Sequence, residues 1–281
     1  MKGADVAKAM KEDLIKEVGE LKEKGISPCL AIVRVGARPD DLAYERGAMK
    51  RMESTGIGCQ VFELPEDISQ EAFEEEFRKV NDDPQIHSIL LFRPLPKHLD
   101  EEPVKAMINP WKDVDCMSPV YIAKVFSGDE TGFAPCTPEA VMEMLDYYKI
   151  DLAGKKVTVV GRSMVVGKPL SMLLLKKNAT ITVCHTRTAD LSGTCRDAEI
   201  LVAAAGKAKM VTEDMVGEGA VVVDVGINVD EEGKMCGDVD YDNVEAKASY
   251  ISPVPRGVGS VTSSVLAKHV VKGAKYQNHL G

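Results

Sequence analysis

Positive charge is in deficit in this chain: 35 Lys and Arg stand against 44 Asp and Glu, a formal net charge of −9 over 281 residues. With both signs interspersed there is no basic field to collect a nucleic acid, although a local cationic pocket for a phosphorylated ligand stays open. Long apolar runs are missing as well. Even residues 165–175 are broken by Gly167, Lys168 and Pro169, short of the roughly 18 residues that a bilayer span needs, so no membrane partner is expected. The first residues, MKGADVAKAMKEDLIKEV, carry charges throughout and read as an amphipathic helix rather than a secretion signal, which predicts a cytoplasmic protein. The seven cysteines, Cys29, Cys59, Cys116, Cys136, Cys184, Cys195 and Cys236, include no Cys-x-x-Cys pair and no interleaved histidines. Neither a disulfide framework nor a metal site is expected.

What is present is an ordinary globular composition, 44% hydrophobic and 28% charged, long enough for about two domains. Apolar β-rich runs over 29–35, 59–63, 88–92, 156–160, 180–185, 200–204 and 220–225 alternate with helical patterns near 41–54, 70–81, 138–148, 169–177 and 263–275. That rhythm predicts an α/β fold, with two domains around a cleft and the C-terminal one a Rossmann-like parallel sheet with helices on both faces. Gly and Pro concentrate in GFAPCTP at 132–138, before a helix start marked by Thr137, Pro138 and Glu139. The expected domains are therefore 138–262, a nucleotide-binding unit, and 1–137 plus 263–281, to which the last helix returns.

The strand at 156–160 runs directly into Gly161-Arg-Ser-Met-Val-Val-Gly167 and then an apolar helix. A glycine turn at a helix N-terminus offers backbone N–H groups and a positive dipole end to an anion such as a pyrophosphate. The spacing is not the dinucleotide fingerprint G-x-G-x-x-G, because Ser163 stands where the second glycine belongs, so a purely structural tight turn is the competing reading. About 20 residues on, an NAD enzyme places an acid at the next strand tip. Here the segment is Cys184-His185-Thr186-Arg187-Thr188. With Arg187 and Arg162 nearby and no carboxylate, a 2′-phosphate meets positive charge, which favours NADP over NAD. His185 reads as a strand-end packing residue, and Lys207 as a surface one.

Several segments in order resemble the bifunctional methylenetetrahydrofolate dehydrogenase/cyclohydrolase family: Val35-Gly36 with Tyr44, Arg93-Pro-Leu-Pro96, Lys112-Asp-Val-Asp115, Pro135-Cys-Thr-Pro138, Val160-Gly-Arg-Ser163, Asp224-Val-Gly-Ile-Asn228, Gly237-Asp-Val239 and Pro253-Val-Pro255 with Gly257-Val-Gly259. The resemblance spans nearly the whole chain. It implies a homodimer acting on tetrahydrofolate derivatives, with the nicotinamide cofactor on the C-terminal domain. It also implies a folate site at Tyr44, Asp115, Pro255, Arg256 and Gly257, with Tyr44 stacked on the pterin and Asp115 accepting its N–H pair. The cofactor site is implied at Gly161, Arg162, Ser163, Gly167, Thr186, Arg187 and Ile227. Taken without the family pattern, Asp113 and Asp115 read as turn caps.

Departures from the family pattern gather on the folate side. The family's acid/base lysine, one helical turn after the tyrosine, is Ala48 here, and the glutamine that assists it is Phe92. Lys50 and Arg46 sit two residues from Ala48, about 200° around a helix. Arg51 shares its face, but a guanidinium cannot act as a base. Family glycines are replaced by Cys116 and Arg256, and the serine before the tyrosine by Asp41. Hydride transfer from the one-carbon bridge needs positioning above all, whereas ring opening by water needs a proton shuttle worth about 100- to 10,000-fold. The expectation is a dehydrogenase with weak or absent cyclohydrolase activity and no confidently identified catalytic side chain. The alternatives are a related oxidoreductase whose pocket is rebuilt around Phe92, Arg93 and Arg256, and a silent folate- or nucleotide-binding paralogue.

Overall fold

The computed structural model describes residues 1–280, which form two compact units. One holds Ala9–Ala134 together with the residues from Ser263 onward; the other holds Met1–Lys8 and Pro135–Thr262. The chain thus changes units at 8/9, 134/135 and 262/263, against the changes at 137/138 and 262/263 that the sequence predicts. It opens with helix α1 (Gly3–Glu23), on which Val6, Leu14, Val18 and Leu21 are buried at helical spacing. Among the described residues, no helix is long and apolar enough to cross a membrane.

The unit that contains 9–134 is built on a three-stranded parallel sheet in the order β2-β1-β3, with β1 at Cys29–Val35, β2 at Gly58–Leu64 and β3 at Ser88–Leu91. The central β1 is buried throughout, its apolar run interrupted only by Arg34. Helix α2 (Pro39–Thr55) starts on a proline, whose missing N–H costs nothing in the first turn, and stops at Gly56 with φ +77°. Helix α3 (Gln70–Asp82) is capped by Ser69, whose hydroxyl accepts the Ala72 N–H, and buries Phe73, Phe77 and Val80. Two shorter helices, α4 (Glu102–Met107) and α5 (Pro119–Ser127), follow.

The other unit begins with α6 (Cys136–Tyr147). Its parallel sheet has the order β10-β7-β6-β4-β5, formed by β4 (Lys156–Val160), β5 (Thr180–Cys184), β6 (Ile200–Ala203), β7 (Val221–Asp224) and β10 (Tyr250–Ile251). Helices α7 (Gly167–Lys176), α8 (Leu191–Arg196) and α9 (Tyr241–Val244) and a hairpin of β8 (Asn228–Val229) and β9 (Met235–Cys236) complete it. The register sets Cys184, Val160, Ala203 and Asp224 in one row. The turns after four strands therefore leave the same sheet edge, on either side of the point between β4 and β6 where strand order reverses, the usual place for a ligand in such sheets.

Three of the differences from the sequence reading lie at helix starts and in the hairpin. Helix α6 starts at Cys136, so Pro138 lies inside the first turn, where no N–H is needed. The last helix, α10 (Gly259–Gln277), begins four residues before 263, because the Gly257 and Val258 carbonyls accept the Ser260 and Val261 N–H groups and wind the Gly/Ser segment into its first turn. Hairpin β8–β9 has strands too short for any periodicity, and its turn is closed by the Asp230 carboxylate accepting the Glu232 and Lys234 N–H groups.

Candidate active site

The turn after β4 is as tight as a backbone allows. Gly161 has φ +133°, and a Cβ there would stand 2.2 Å from the Ala204 carbonyl oxygen. At Gly167 a Cβ would stand 2.1 Å from the Gly161 carbonyl oxygen. Only glycine fits either position. The Ser163 hydroxyl accepts the Val166 N–H at 3.0 Å, and its carbonyl accepts the Lys168 N–H. This corrects the expectation of a row of open amides at the helix start: the Lys168 amide is already used, and Pro169 has none. The charge available to an anion here resides instead in exposed Arg162 and Arg187, neither of which has an ion-pair partner among the described residues.

After β5 the chain folds back on itself. The Thr188 hydroxyl accepts the His185 N–H at 2.9 Å, and His185 Nδ1 accepts the Arg187 N–H at 3.1 Å. His185 therefore shapes a turn that leaves Thr186 and Arg187 exposed at its tip. Along the same unit a pocket of about 230 Å³ is lined by Asp224, Gly226, Ile227, Pro255, Arg256 and Gly259, among others. Gly257 is obligatory, since a Cβ would meet the Pro253 carbonyl oxygen at 2.3 Å. Its neighbour Arg256 is held at φ +79° despite its long side chain.

Two residues to which the sequence alone assigns no role stand out here. Asp224 and Asp238 are 3% and 0% exposed. The Asp224 carboxylate accepts N–H groups from Gly226, Asp238 and Val239 at 2.9–3.0 Å. Asp238 accepts those of Ala205, Gly206 and Lys207 at 2.6–2.9 Å, and Asn228 Nδ2 at 2.9 Å. Burial pushes the Asp224 carboxyl up to about 6, against the pull of its three backbone donors. The available signal was an acid ending a run of valines beside a glycine.

In the unit that contains 9–134, Tyr44 is 41% exposed and Ala48 only 1%. Ala48 belongs to the stripe with Met52 and Thr55 that packs inward. The Tyr44 ring leans on Phe92, with centroids 5.6 Å apart and planes at 54°, and Phe92 is itself buried. Next to Tyr44, Glu45 is anchored by the buried Arg34 of β1 at 2.7 Å, and Arg34 also reaches Glu63 of β2 at 2.9 Å. Arg51, half-buried, donates to Ser263 Oγ at 3.4 Å. Arg93 is not an additional free cation, because its guanidinium faces the Asp115 carboxylate at 3.7 Å. Asp113 caps a turn, accepting the Met117 and Ser118 N–H groups, and burial raises its carboxyl pKa. Lys112 is buried, donating to the Asn81 and Asp83 carbonyls. Cys116 keeps a left-handed backbone, φ +55°.

These features meet known proteins over the full length. Residues 1–115 match the model of the tetrahydrofolate dehydrogenase/cyclohydrolase catalytic domain, and residues 135–278 that of its NAD(P)-binding domain. The chain belongs to this family. It is 60% identical over 279 residues to the bifunctional protein FolD of Clostridioides difficile, covering 99% of this chain and 97% of that one. Among solved structures it is similar to the bifunctional FolD of Campylobacter jejuni, with TM-score 0.95 and 41% identity over 98% of both chains. It is also similar to the Trypanosoma brucei enzyme complexed with NADP cofactor and an inhibitor, with TM-score 0.92 and 36% identity over 98% and 97%.

Proposed function

We propose that the chain is an NADP-dependent 5,10-methylenetetrahydrofolate dehydrogenase whose cyclohydrolase activity is weak or absent. Residues 138–262 serve as the cofactor domain, and 1–137 plus 263–281 as the folate domain. The cofactor half of the reading is supported by the cradle at Gly161 and Gly167, where any Cβ would fill the turn, and by the two exposed arginines beside it. Arg162 and Arg187 would hold a 2′-phosphate, Ser163 and Thr186 would flank the diphosphate, and Ile227 would meet the ring. When bound, the nicotinamide supplies the hydride acceptor. The chain's own task is to hold the donor in line, which is where most of the rate of such a transfer comes from. Tyr44 presents a ring face to the pterin, steadied by Phe92 and by the Arg34 to Glu45 anchor, and Asp115 accepts its N–H pair.

The observation that carries the second half is position 48. It shares a helix face with Tyr44, is 1% exposed and is an alanine, with neither a proton to give nor a lone pair to accept one. Water addition to the methenyl product lacks there the positioned acid/base group typically worth about 100- to 10,000-fold. Named relatives are bifunctional, so the test is direct: follow NADPH formation from methylenetetrahydrofolate, and methenyltetrahydrofolate loss, with the same purified protein. Reduction of NADP with enzyme-dependent hydrolysis at least about 100-fold slower is expected. Comparable rates refute the second half, and no NADPH refutes the first. The resemblance also carries a homodimer, which light scattering on the purified protein checks. None of the seven cysteines forms a disulfide among the described residues, which suits a reducing cytoplasm.

A further inference from the structure

Asp224 and Asp238 have no task in the reaction above, yet two buried carboxylates side by side are costly unless every lone pair is satisfied. Here the satisfaction is reciprocal. At Gly226 a Cβ would stand 2.3 Å from Asp238 Oδ1, and at Gly237 one would stand 1.9 Å from Asp224 Oδ2. Each aspartate therefore rests on the glycine beside its counterpart. The donors they collect come from three separate turns at the sheet edge: 205–207 after β6, 226–228 after β7, and 238–239 after β9. The first of these follows Ala204, whose carbonyl lies over Gly161.

What the two acids bracket is one side chain. Asp224 fixes the amide of Gly226 and Asp238 fixes the side chain of Asn228, so Ile227 is pinned on both sides. Ile227 is 67% exposed and lines the 230 Å³ pocket. A branched apolar side chain directed to solvent from a rigid turn is a platform for a flat apolar surface, and charge-assisted bonds at both neighbours prevent it from folding away. We infer that Asp224 and Asp238 are positioning residues that hold Ile227 as the platform for the ring of the nicotinamide cofactor. This rests on the cofactor reading given above.

The test is NADPH titration, by its fluorescence, of the full-length wild type, Ile227→Ala, Asp238→Asn, Asn228→Ala and the doubles Asp238→Asn/Ile227→Ala and Asn228→Ala/Ile227→Ala, with thermal midpoints taken alongside. If the acids act through Ile227, the single changes raise Kd about tenfold (about threefold for Asn228→Ala), and each double is no weaker than Ile227→Ala alone, because neighbours in one pathway do not add. Should Asp238→Asn fail to fold, the Asn228→Ala pair decides. Effects that multiply in the doubles, or an unchanged Kd in Asp238→Asn or Asn228→Ala, overturn the inference. A folded wild type that binds no NADPH overturns the cofactor reading and this inference with it.

Discussion

The turn after β4 and the segment after β3 both leave the end of a buried parallel strand, yet sequence constrains them differently. At Gly161 and Gly167 the backbone itself fills the space, with carbonyl oxygens 2.2 and 2.1 Å from where a Cβ would be, so no substitution is tolerated and the turn keeps its shape. At Phe92 and Ala48 the limits are set by side chains: Phe92 leans on Tyr44, and the alanine lies in the helix stripe that packs inward. Volume there can be exchanged between neighbours, so chemistry can be lost without loss of fold. Backbone-limited sites preserve binding geometry, whereas side-chain-limited sites are where an activity can be dropped.

Gly161→Ala is the largest expected effect, because the new methyl must displace the Ala204 carbonyl. A loss of about 3 kcal/mol in stability and of measurable NADPH binding is expected from denaturant unfolding and fluorescence titration. A variant that binds NADPH normally would remove the contrast altogether. On the other side, Ala48→Lys must fit into a 1% exposed position, at a cost of about 1–3 kcal/mol. Because Phe92 occupies the space against Tyr44, the single change gives little hydrolysis. Ala48→Lys/Phe92→Gln restores it by about 100-fold, read as methenyltetrahydrofolate loss.

A smaller effect is expected from the titration of Asp224. Its folded pKa is pushed up to about 6, above that of an unfolded aspartate, so the folded chain binds the extra proton between about pH 4 and 6. The group's contribution to stability is full below the unfolded value and is lost as pH rises through 6. Unfolding midpoints in urea at pH 5 and 7.5 should show wild type gaining on Asp224→Asn at the lower pH, and a constant difference would contradict this.

Smaller still is the effect of Arg93→Ala. The pair with Asp115 is partly exposed, 24% and 30% on the two side chains, and such pairs contribute under about 1 kcal/mol. Removing the guanidinium leaves Asp115 with one competitor fewer for pterin N–H groups, so KM for methylenetetrahydrofolate should fall by about two- to threefold, with KM for NADP unchanged. A rise in the folate KM would instead mark Arg93 as a ligand contact.

How far the sequence was legible follows the same division. Strands β1 and β4 were readable because most of their residues are buried and apolar, with Arg34 the one charge inside β1 and Lys156 the exposed first residue of β4, and the turn at Gly161–Gly167 because glycine and a following helix are local signals. Tyr44 and Ala48 were picked out by the family resemblance, and helical spacing added only that the two share a face. What could not be read were pairings made across loops: Asp224 with Asp238, Arg93 with Asp115, Arg34 with Glu45 and Glu63. No periodicity links those partners, since their contact depends on where strand ends meet. The helices α4, α5, α8 and α9 were missed for a related reason, being too short for an apolar stripe of their own to stand out.

The least perturbing test concerns the strain that the comparison predicts should be absent from a freely adjusting site. Arg256 keeps φ +79°, a left-handed backbone that costs a non-glycine residue about 1 kcal/mol or more, between Pro255 and the obligatory Gly257. Its carbonyl accepts the Gly3 N–H at 2.9 Å, so the backbone is held from outside the turn and the side chain is not what fixes it. Arg256→Gly should therefore relieve the strain and, after the larger entropy of the unfolded chain is deducted, stabilise the protein by about 0.5 kcal/mol, a rise in Tm of about 1–2 °C for a chain of this size. If the rise comes with a weaker affinity for methylenetetrahydrofolate, the cation is retained for the substrate at the expense of stability. A fall in Tm would mean that the guanidinium itself stabilises the turn, and that side chains as well as backbone set the limits there.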